Sequence, residues 1–304
     1  RIFLLMHRCK RMRNNYDVII SASGQADFGR RGIQYIHFPW FYTLYRKLNP
    51  PQGLSRRRAL WNAMRYRCRP WRLISGFSFE RMKTNLTLVN SDWTGSRVTD
   101  SYGIGTTTVY PPVPGNFPSI PWWQRENGFV CIGRISPEKR LGRVITILSS
   151  VRSQGQDIHL HLVGNPCNGP DGGHYYEEIR QRVKENASWV YLHENLPREE
   201  LVRLVSTHKY GIHRMVDEHF GIAIAEMVRG GCVVFVPRSG GQMEIVGQED
   251  RLLYETNEEA IAKILRIMRN PREQHRLRRY LNSRKELFST ERFMLQMQEI
   301  VREF

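Results

Sequence analysis

Short apolar runs alternate along the chain with stretches whose apolar residues recur every three or four positions. That is the pattern of an α/β protein built on parallel sheets. In the first part, Asp17–Ser21, Ile33–Phe38, Leu86–Asn90 and Thr106–Tyr110 predict strands, and the basic stretch Ser55–Phe79 predicts a long helix. Prolines then cluster at Pro111, Pro112, Pro114, Pro118 and Pro121, where neither a helix nor a central strand would tolerate them, which marks a linker. The series resumes with strand Phe129–Ile132 and helix Glu138–Val151, in which Leu141, Val144, Ile145, Leu148 and Val151 share one face. Strand Ile158–Val163, helix Tyr175–Lys184, strand Trp189–Leu192 and helix Arg198–Val205 follow. Strand Tyr210–His213, helix Gly221–Arg229 and strand Cys232–Val236 complete it, and the tail Glu258–Phe304 reads as helical. Such alternation predicts a doubly wound domain with its ligand crevice at the carboxyl ends of the strands.

The 304 residues suit two domains, and 40% hydrophobic with 25% charged residues excludes long-range disorder. No apolar run approaches the length of a bilayer-spanning helix; the longest are stretches such as Ile2–Met6 and Val233–Val236. The chain opens on Arg1 without a secretory signal, so part of the N-terminal end is expected to be missing and a cytoplasmic, reducing setting is expected. Five cysteines, odd in number and without a CxxC pair, point to neither a disulfide framework nor a structural zinc site. Sequons at Asn85 and Asn186 are short enough to arise by chance.

The net charge of +17 is unevenly placed: 20 Lys/Arg stand against 6 Asp/Glu up to Asn127, and 26 against 23 thereafter. The basic first part is either a solvated surface or a field for polyanions: nucleic acid, an anionic membrane or a phosphorylated substrate. No RNP, zinc-finger or helix-turn-helix pattern accompanies it, so nucleic acid is not the expected partner.

Two stretches carry candidate chemistry. The first, Asp217–Met227, reads Asp-Glu-His-Phe-Gly-Ile-Ala-Ile-Ala-Glu-Met and is followed by Gly230-Gly231 and Ser239-Gly240-Gly241. It crosses from a strand end near His213 to a helix start near Gly221. There the amides of Phe220, Gly221 and Ile222 face outward and the helix dipole adds positive charge, which suits a phosphate. Glu218 in the loop and Glu226 on the helix can then bind hydroxyls on either side. The second, Gly133-Arg134-Ile135-Ser136-Pro137-Glu138-Lys139, leaves strand Phe129–Ile132. Lys139 falls in the first turn of the next helix, where a cation opposes the macrodipole and an anionic ligand would explain it. The Arg134 fork and the Lys139 point charge together suit a diphosphate. The competing reading is a surface pair capped by Ser136.

Gly-Arg-x-x-x-Glu-Lys followed by a Glu-x7-Glu segment with Phe-Gly-Ile at its centre resembles the retaining nucleotide-sugar glycosyltransferases of family 4. Leu88–Asp92, Val109–Val113, Leu162–Gly164 and Ser239–Gly241 add to the likeness, which spans about Tyr16 to Phe304. Tyr35–Pro39, the Tyr-Pro-Pro of residues 110–112 and Asp217–Ile222 most resemble the mannose-transferring members that act on lipid-linked glycans at the cytosolic face of a membrane.

The resemblance implies a GT-B fold, with two Rossmann-like α/β domains facing a central cleft. Residues 1–115 would form an incomplete acceptor-side domain and residues 116–287 the nucleotide-sugar-binding domain, with helix 288–304 packing back on the first. Arg134 and Lys139 would hold the donor diphosphate. Glu218 would contact the donor sugar and Glu226 the ribose, while the Phe220–Ile222 amides would bind sugar or phosphate. Gly133, Gly164 and Leu196 would line the donor site, the last two near the base, and His37 would lie close to the donor sugar. His213 and His219 stand beside that loop and either bind or simply pack.

The implied substrates are a nucleotide sugar, GDP-mannose or a UDP-sugar, and a glycan or lipid-linked acceptor. Fixed cations and amides, with no Asp-x-Asp triplet, lead to the expectation of transfer with no metal or other cofactor. The aromatic and basic stretch Ser55–Phe79 suits an interfacial helix on an anionic membrane, or equally a helix packed on the sheet with a basic outer face. Other functions remain open: a non-catalytic polyanion-binding protein on a GT-B-like fold, and a nucleotide-sugar epimerase or a phosphorylase of the same fold, the last needing a cofactor lysine for which Lys209 is a poor candidate.

Overall fold

In the computed structural model, which describes residues 2–39, 74–167 and 170–304, the chain divides into two units. One comprises Arg1–Tyr110 with Leu295–Phe304, the other Pro111–Met294. Most of the expected basic helix Ser55–Phe79, including Arg56–Arg58, Trp61, Tyr66, Trp71 and Leu73, lies outside the described residues.

The first unit holds a parallel sheet in the order β1 (Ile20–Ser21), β2 (Ile33–Ile36), β3 (Leu86–Val89) and β4 (Thr107–Thr108). The outer strands are shorter than the pattern suggests, because each finds a partner on only one side. A helix that the pattern does not announce, α1 (Ile2–Met12), supplies Met6 to a core with Phe28, Ile36, Phe77, Met82, Val89 and Val98. Two further helices, α2 (Phe79–Lys83) and α3 (Asp92–Tyr102), are capped at their N-termini by Ser78 and Ser91.

Asp27, fully buried, ties this unit together. It accepts from Lys10 Nζ (2.7 Å), Arg81 Nη2 (2.9 Å) and the amides of Ser78 (2.7 Å) and Gly29 (2.9 Å). Burial pushes its carboxyl up, but these partners outweigh burial and hold it at about 2. Asn85 of the first sequon is buried too, accepting from the Gly32 amide and donating to the Ala26 carbonyl.

The second unit is a six-stranded parallel sheet. Its strands are β5 (Glu126–Ile132), β6 (His159–Val163), β7 (Val190–His193), β8 (His208–Ile212), β9 (Val233–Pro237) and β10 (Leu253–Tyr254), in the order β10-β9-β8-β5-β6-β7. In β9 every residue is buried, as its unbroken apolar run requires of a strand covered on both faces. In β6, by contrast, His159 and His161 alternate with fully buried Leu160 and Leu162.

The crossover helices include α4 (Leu141–Ser153), α5 (Pro170–Glu185), α6 (Arg198–Thr207) and α7 (Ile222–Gly230). Leu141, Val144, Ile145, Ile147, Leu148 and Val151 of α4 are buried, each worth roughly 1.5–3 kcal/mol relative to exposure. After the short α8 (Gln242–Ile245), the tail forms α9 (Asn257–Met268), α10 (Pro271–Arg284) and α11 (Thr290–Glu303). The last ten residues, Leu295–Phe304, cluster with the first unit, where the Phe304 ring lies 4.8 Å from the Arg31 guanidinium carbon. The proline-rich segment falls at the start of the second unit.

The strand order places a switch point between β5 and β8. From β5 the chain winds outward through β6 and β7, then returns to the other side of β5 and winds through β8, β9 and β10. The loops leaving the carboxyl ends of β5 and β8 therefore diverge and leave a crevice between them.

Candidate active site

Both chemistry-bearing stretches leave the strands that flank this switch point. Gly133 follows β5 directly and His213 follows β8. Lys139 does not sit in the first turn of α4 as the pattern suggests. It ends a separate 3-10 turn, Pro137–Lys139, joined to the helix by Arg140 at a left-handed φ of 52°. That turn aims Lys139 back across the strand end, its stem running over Gly133, where a Cβ would lie 3.4 Å from Lys139 Cδ.

Lys139 Nζ reaches Glu218 Oε2 at 2.5 Å, and His213 Nε2 lies 3.3 Å from the same oxygen. Lys139 is thus no surface residue capped by Ser136; its side chain is 13% exposed, and Ser136 gives the turn no side-chain cap. Burial would raise the Glu218 carboxyl, but His213 and the Lys139 ammonium reverse this and hold it at about 2. The same burial keeps His213 below the ordinary histidine value, so it is neutral beside an ionised carboxylate. Both contacts fall on Oε2, which leaves Oε1 of Glu218 without a partner among the described residues.

The loop bearing Glu218 is held from below. Gly240, at φ 75°, lies so close that a Cβ would meet the Glu218 carbonyl oxygen at 2.4 Å. The Gly241 amide donates to that carbonyl at 2.8 Å, and the Asp217 amide donates to Ser239 Oγ at 3.0 Å. This explains Ser239-Gly240-Gly241 as a support for the loop.

Gly221, left-handed at φ 104°, turns the chain into α7, and exposed Ile222 and the first amides head that helix. Phe220 instead packs inward, 5.9 Å ring to ring from Phe288. Glu226, one turn into α7, is buried and paired with Arg198, the first residue of α6, a partner that the spacing of the motif does not announce. Burial raises its carboxyl and Arg198 only partly offsets this.

Gly164 stands where no other residue fits, since a Cβ would meet the Gly133 carbonyl oxygen at 1.9 Å. Next to it, Asn165 Oδ1 accepts from the Asn195 amide at 2.7 Å and the Asn165 carbonyl from the Ile135 amide at 2.9 Å. The loops after β5, β6 and β7 are stitched together in this way, with half-buried Leu196 in the third.

Arg134 is mostly exposed and engages Glu138 at 3.5 Å. Its guanidinium is thus close to Lys139 in sequence but does not share the Glu218 contact. His37 belongs to the first unit, where it follows β2, is exposed and lies 2.9 Å from the Ala22 carbonyl oxygen. The structure brings Lys139, Glu218 and His213 together, and it settles the place of His213, which the sequence leaves open.

Residues 116–284 match the model of the glycosyl transferases group 1 family. The chain belongs to that family. Among curated relatives, the GDP-Man:Man(3)GlcNAc(2)-PP-Dol alpha-1,2-mannosyltransferase of Mus musculus is 28% identical over 218 residues, 64% of this chain and 44% of the relative. That of Xenopus laevis is 30% identical over 176 residues, 54% of this chain and 36% of the relative. The match spans less than half the length of either. Among solved structures, Anabaena Alr3699/HepE in complex with UDP and glucose aligns with a TM-score of 0.70 at 15% identity, over 99% of this chain and 82% of that one. The fold is that of the GT-B glycosyltransferases, an α/β chain with two parallel sheets, as the motifs imply.

Proposed function

We propose that this chain is part of a mannosyltransferase that moves mannose from GDP-mannose to a dolichol-diphosphate-linked oligosaccharide. The observation that carries the reading is the Lys139–Glu218–His213 constellation at the carboxyl ends of β5 and β8, inside the region that matches the family. The named activity of the mouse and frog relatives supplies the donor and acceptor.

Cleaving the sugar–phosphate bond leaves an oxocarbenium-like carbon and a diphosphate of growing negative charge. Lys139, Arg134 and the amides of Gly221 and Ile222 stabilise that charge, and they act on the transition state more than on the ground state. Oε1 of Glu218 accepts from mannose hydroxyls while Lys139 and His213 hold Oε2. Glu226 binds the ribose once Arg198 shares its carboxylate, and Gly133, Gly164 and Leu196 border the nucleotide. The acceptor oxygen bonds to the anomeric carbon on the face that the phosphate leaves, and its proton passes to the leaving phosphate oxygen, so GDP departs and configuration is retained. These protein cations supply the charge stabilisation, and the reading requires no metal ion in the donor site. His37 keeps the role the resemblance implies, near the donor sugar.

The basic first 127 residues suit an anionic membrane surface or a diphosphate-linked acceptor, which fits a protein working peripherally on the cytosolic face. Among the described residues no helix is long and apolar enough to cross a membrane.

Calorimetric titration with GDP-mannose, UDP-glucose and UDP-N-acetylglucosamine tests the donor, with GDP-mannose expected to bind tightest. GDP release that depends on a dolichol-diphosphate oligosaccharide tests the reaction. Binding of none of the three sugars would overturn the reading; preference for a UDP-sugar would replace the donor, and epimerised sugar as product would replace the reaction.

A further inference from the structure

The opposite end of the second sheet carries an imidazole cluster for which the transferase reaction has no use. His159 and His161 project from one face of β6, His208 begins β8 and Glu126 begins β5. One ring nitrogen from each of the three histidines lies within 4.8 Å of the others. His159 Nε2 is 3.0 Å from His208 Nε2, and Glu126 Oε2 is 3.4 Å from the first and 3.8 Å from the second. His159 stands roughly 13 Å along its strand from the carboxyl end where the candidate active site begins.

The hydrogen bonds around the cluster orient its lone pairs. His208 Nδ1 is 2.7 Å from the Leu204 carbonyl oxygen, which only accepts, so Nδ1 carries the proton and Nε2 turns its lone pair into the cluster. His161 Nδ1 is 2.7 Å from His193 Nε2, which occupies that nitrogen and leaves Nε2 as the ligand atom. Two imidazole nitrogens this close cannot both carry protons, so each pair contains a neutral ring. Gly128 on β5 makes the room, since a Cβ there would meet His159 Nε2 at 2.3 Å.

We propose that His159, His161 and His208, with Glu126 as the fourth ligand, bind one zinc-class transition-metal ion at the amino end of this sheet. Tetrahedral zinc with metal–nitrogen bonds of about 2.0–2.1 Å separates its ligand atoms by about 3.3 Å. The His159–His208 and Glu126–His159 separations lie within a few tenths of an ångström of that value. Three imidazoles and one carboxylate suit zinc or its neighbours over magnesium or calcium, which take oxygen ligands. Binding moves the His159 proton from Nε2 to Nδ1, with no net proton lost, and draws the ligand atoms inward from separations of up to 4.8 Å. His193 and the Leu204 carbonyl act as the partners that fix ligating rings. Cysteine spacing is silent about such a site, because every nitrogen ligand is an imidazole. An ion there would join β5, β6 and β8 without touching the donor.

The test is calorimetric titration of Zn²⁺ into the full chain, with the visible spectrum of added Co²⁺ as the readout of geometry. One ion per chain is expected, with the d–d bands of a four-coordinate cobalt site and a melting temperature that rises with Zn²⁺ and falls back on chelation. His208 is buried and its loss threatens the fold, so the deciding variants are His159→Gln and His161→Gln, checked for native circular dichroism. Each is expected to weaken Zn²⁺ at least tenfold and His193→Ala about tenfold, while exposed His275→Gln leaves affinity unchanged. No saturable binding by the unaltered chain, or equal affinity in a folded His159→Gln/His161→Gln double variant, would overturn the site.

Discussion

Two carboxylates, buried Asp27 in the first unit and half-buried Glu218 in the second, keep similar electrostatic company but are satisfied to different degrees. Asp27 and Glu218 each pair with a lysine and a second nitrogen-bearing side chain, and each is held at about 2 against the upward push of burial. Asp27 is closed: its side chain has no exposure, and Lys10, Arg81 and two backbone amides occupy both oxygens. Glu218 is open: its side chain is 15% exposed, both partners sit on Oε2, and it stands at a strand's carboxyl end beside a helix start. A depressed pKa therefore does not by itself mark a site. What sets Glu218 apart is that its Oε1 has no partner among the described residues, and the proposed sugar contact rests on that oxygen.

The contrast can be broken by mutation. Asp27→Ala removes the anion from Lys10 and Arg81, leaving the part-buried Lys10 ammonium only the Ser75 and Gly76 carbonyls, and is expected to destabilise the protein by about 3 kcal/mol, read in urea unfolding. Lys139→Ala is expected to lower turnover roughly 10- to 1,000-fold and to cost less stability than Asp27→Ala, because His213 still holds Glu218 Oε2; Arg134→Ala, at an exposed pair, is expected to lower turnover by a smaller factor with the melting temperature little changed. A Lys139→Ala protein that unfolds as readily as Asp27→Ala would erase the distinction between closed and open carboxylates.

Glu226→Ala should weaken nucleotide binding about tenfold by calorimetry; unchanged donor affinity would remove it from the ribose. The smallest effect is in pH. Both depressed carboxyls contribute stability that is present above the ordinary carboxyl value and lost as pH falls toward 2. Asp27→Asn and Glu218→Gln should each flatten the acid limb of stability, and a Glu218→Gln limb identical to that of the unaltered protein would show that the pair does not form. Separately, pelleting with anionic vesicles should fall as salt rises if the basic first part docks on a membrane.

Much of this was legible in the residues. Apolar runs and helical periodicity located the strands of the second unit to within a few positions, because a strand buried on both faces leaves little room for polar residues. The motif from Asp217 to Met227 announced its helix start through Gly221, and Gly133-Arg134 announced a strand end. The first unit was less clear. Helix α1 escaped notice because exposed Leu4 and Leu5 blur its apolar stripe and only Met6 and Cys9 mark its inner side.

The chain alone determined the alternation of strands and helices, the glycines at close approaches and the family motifs, since each depends on neighbours in sequence. Only the tertiary structure decided that Lys139 meets Glu218 across 79 positions of chain, that Arg198 occupies Glu226, and that imidazoles from two strands gather at one sheet end. Those facts follow from strand order, and strand order is set by how distant apolar faces bury one another, which no local pattern encodes.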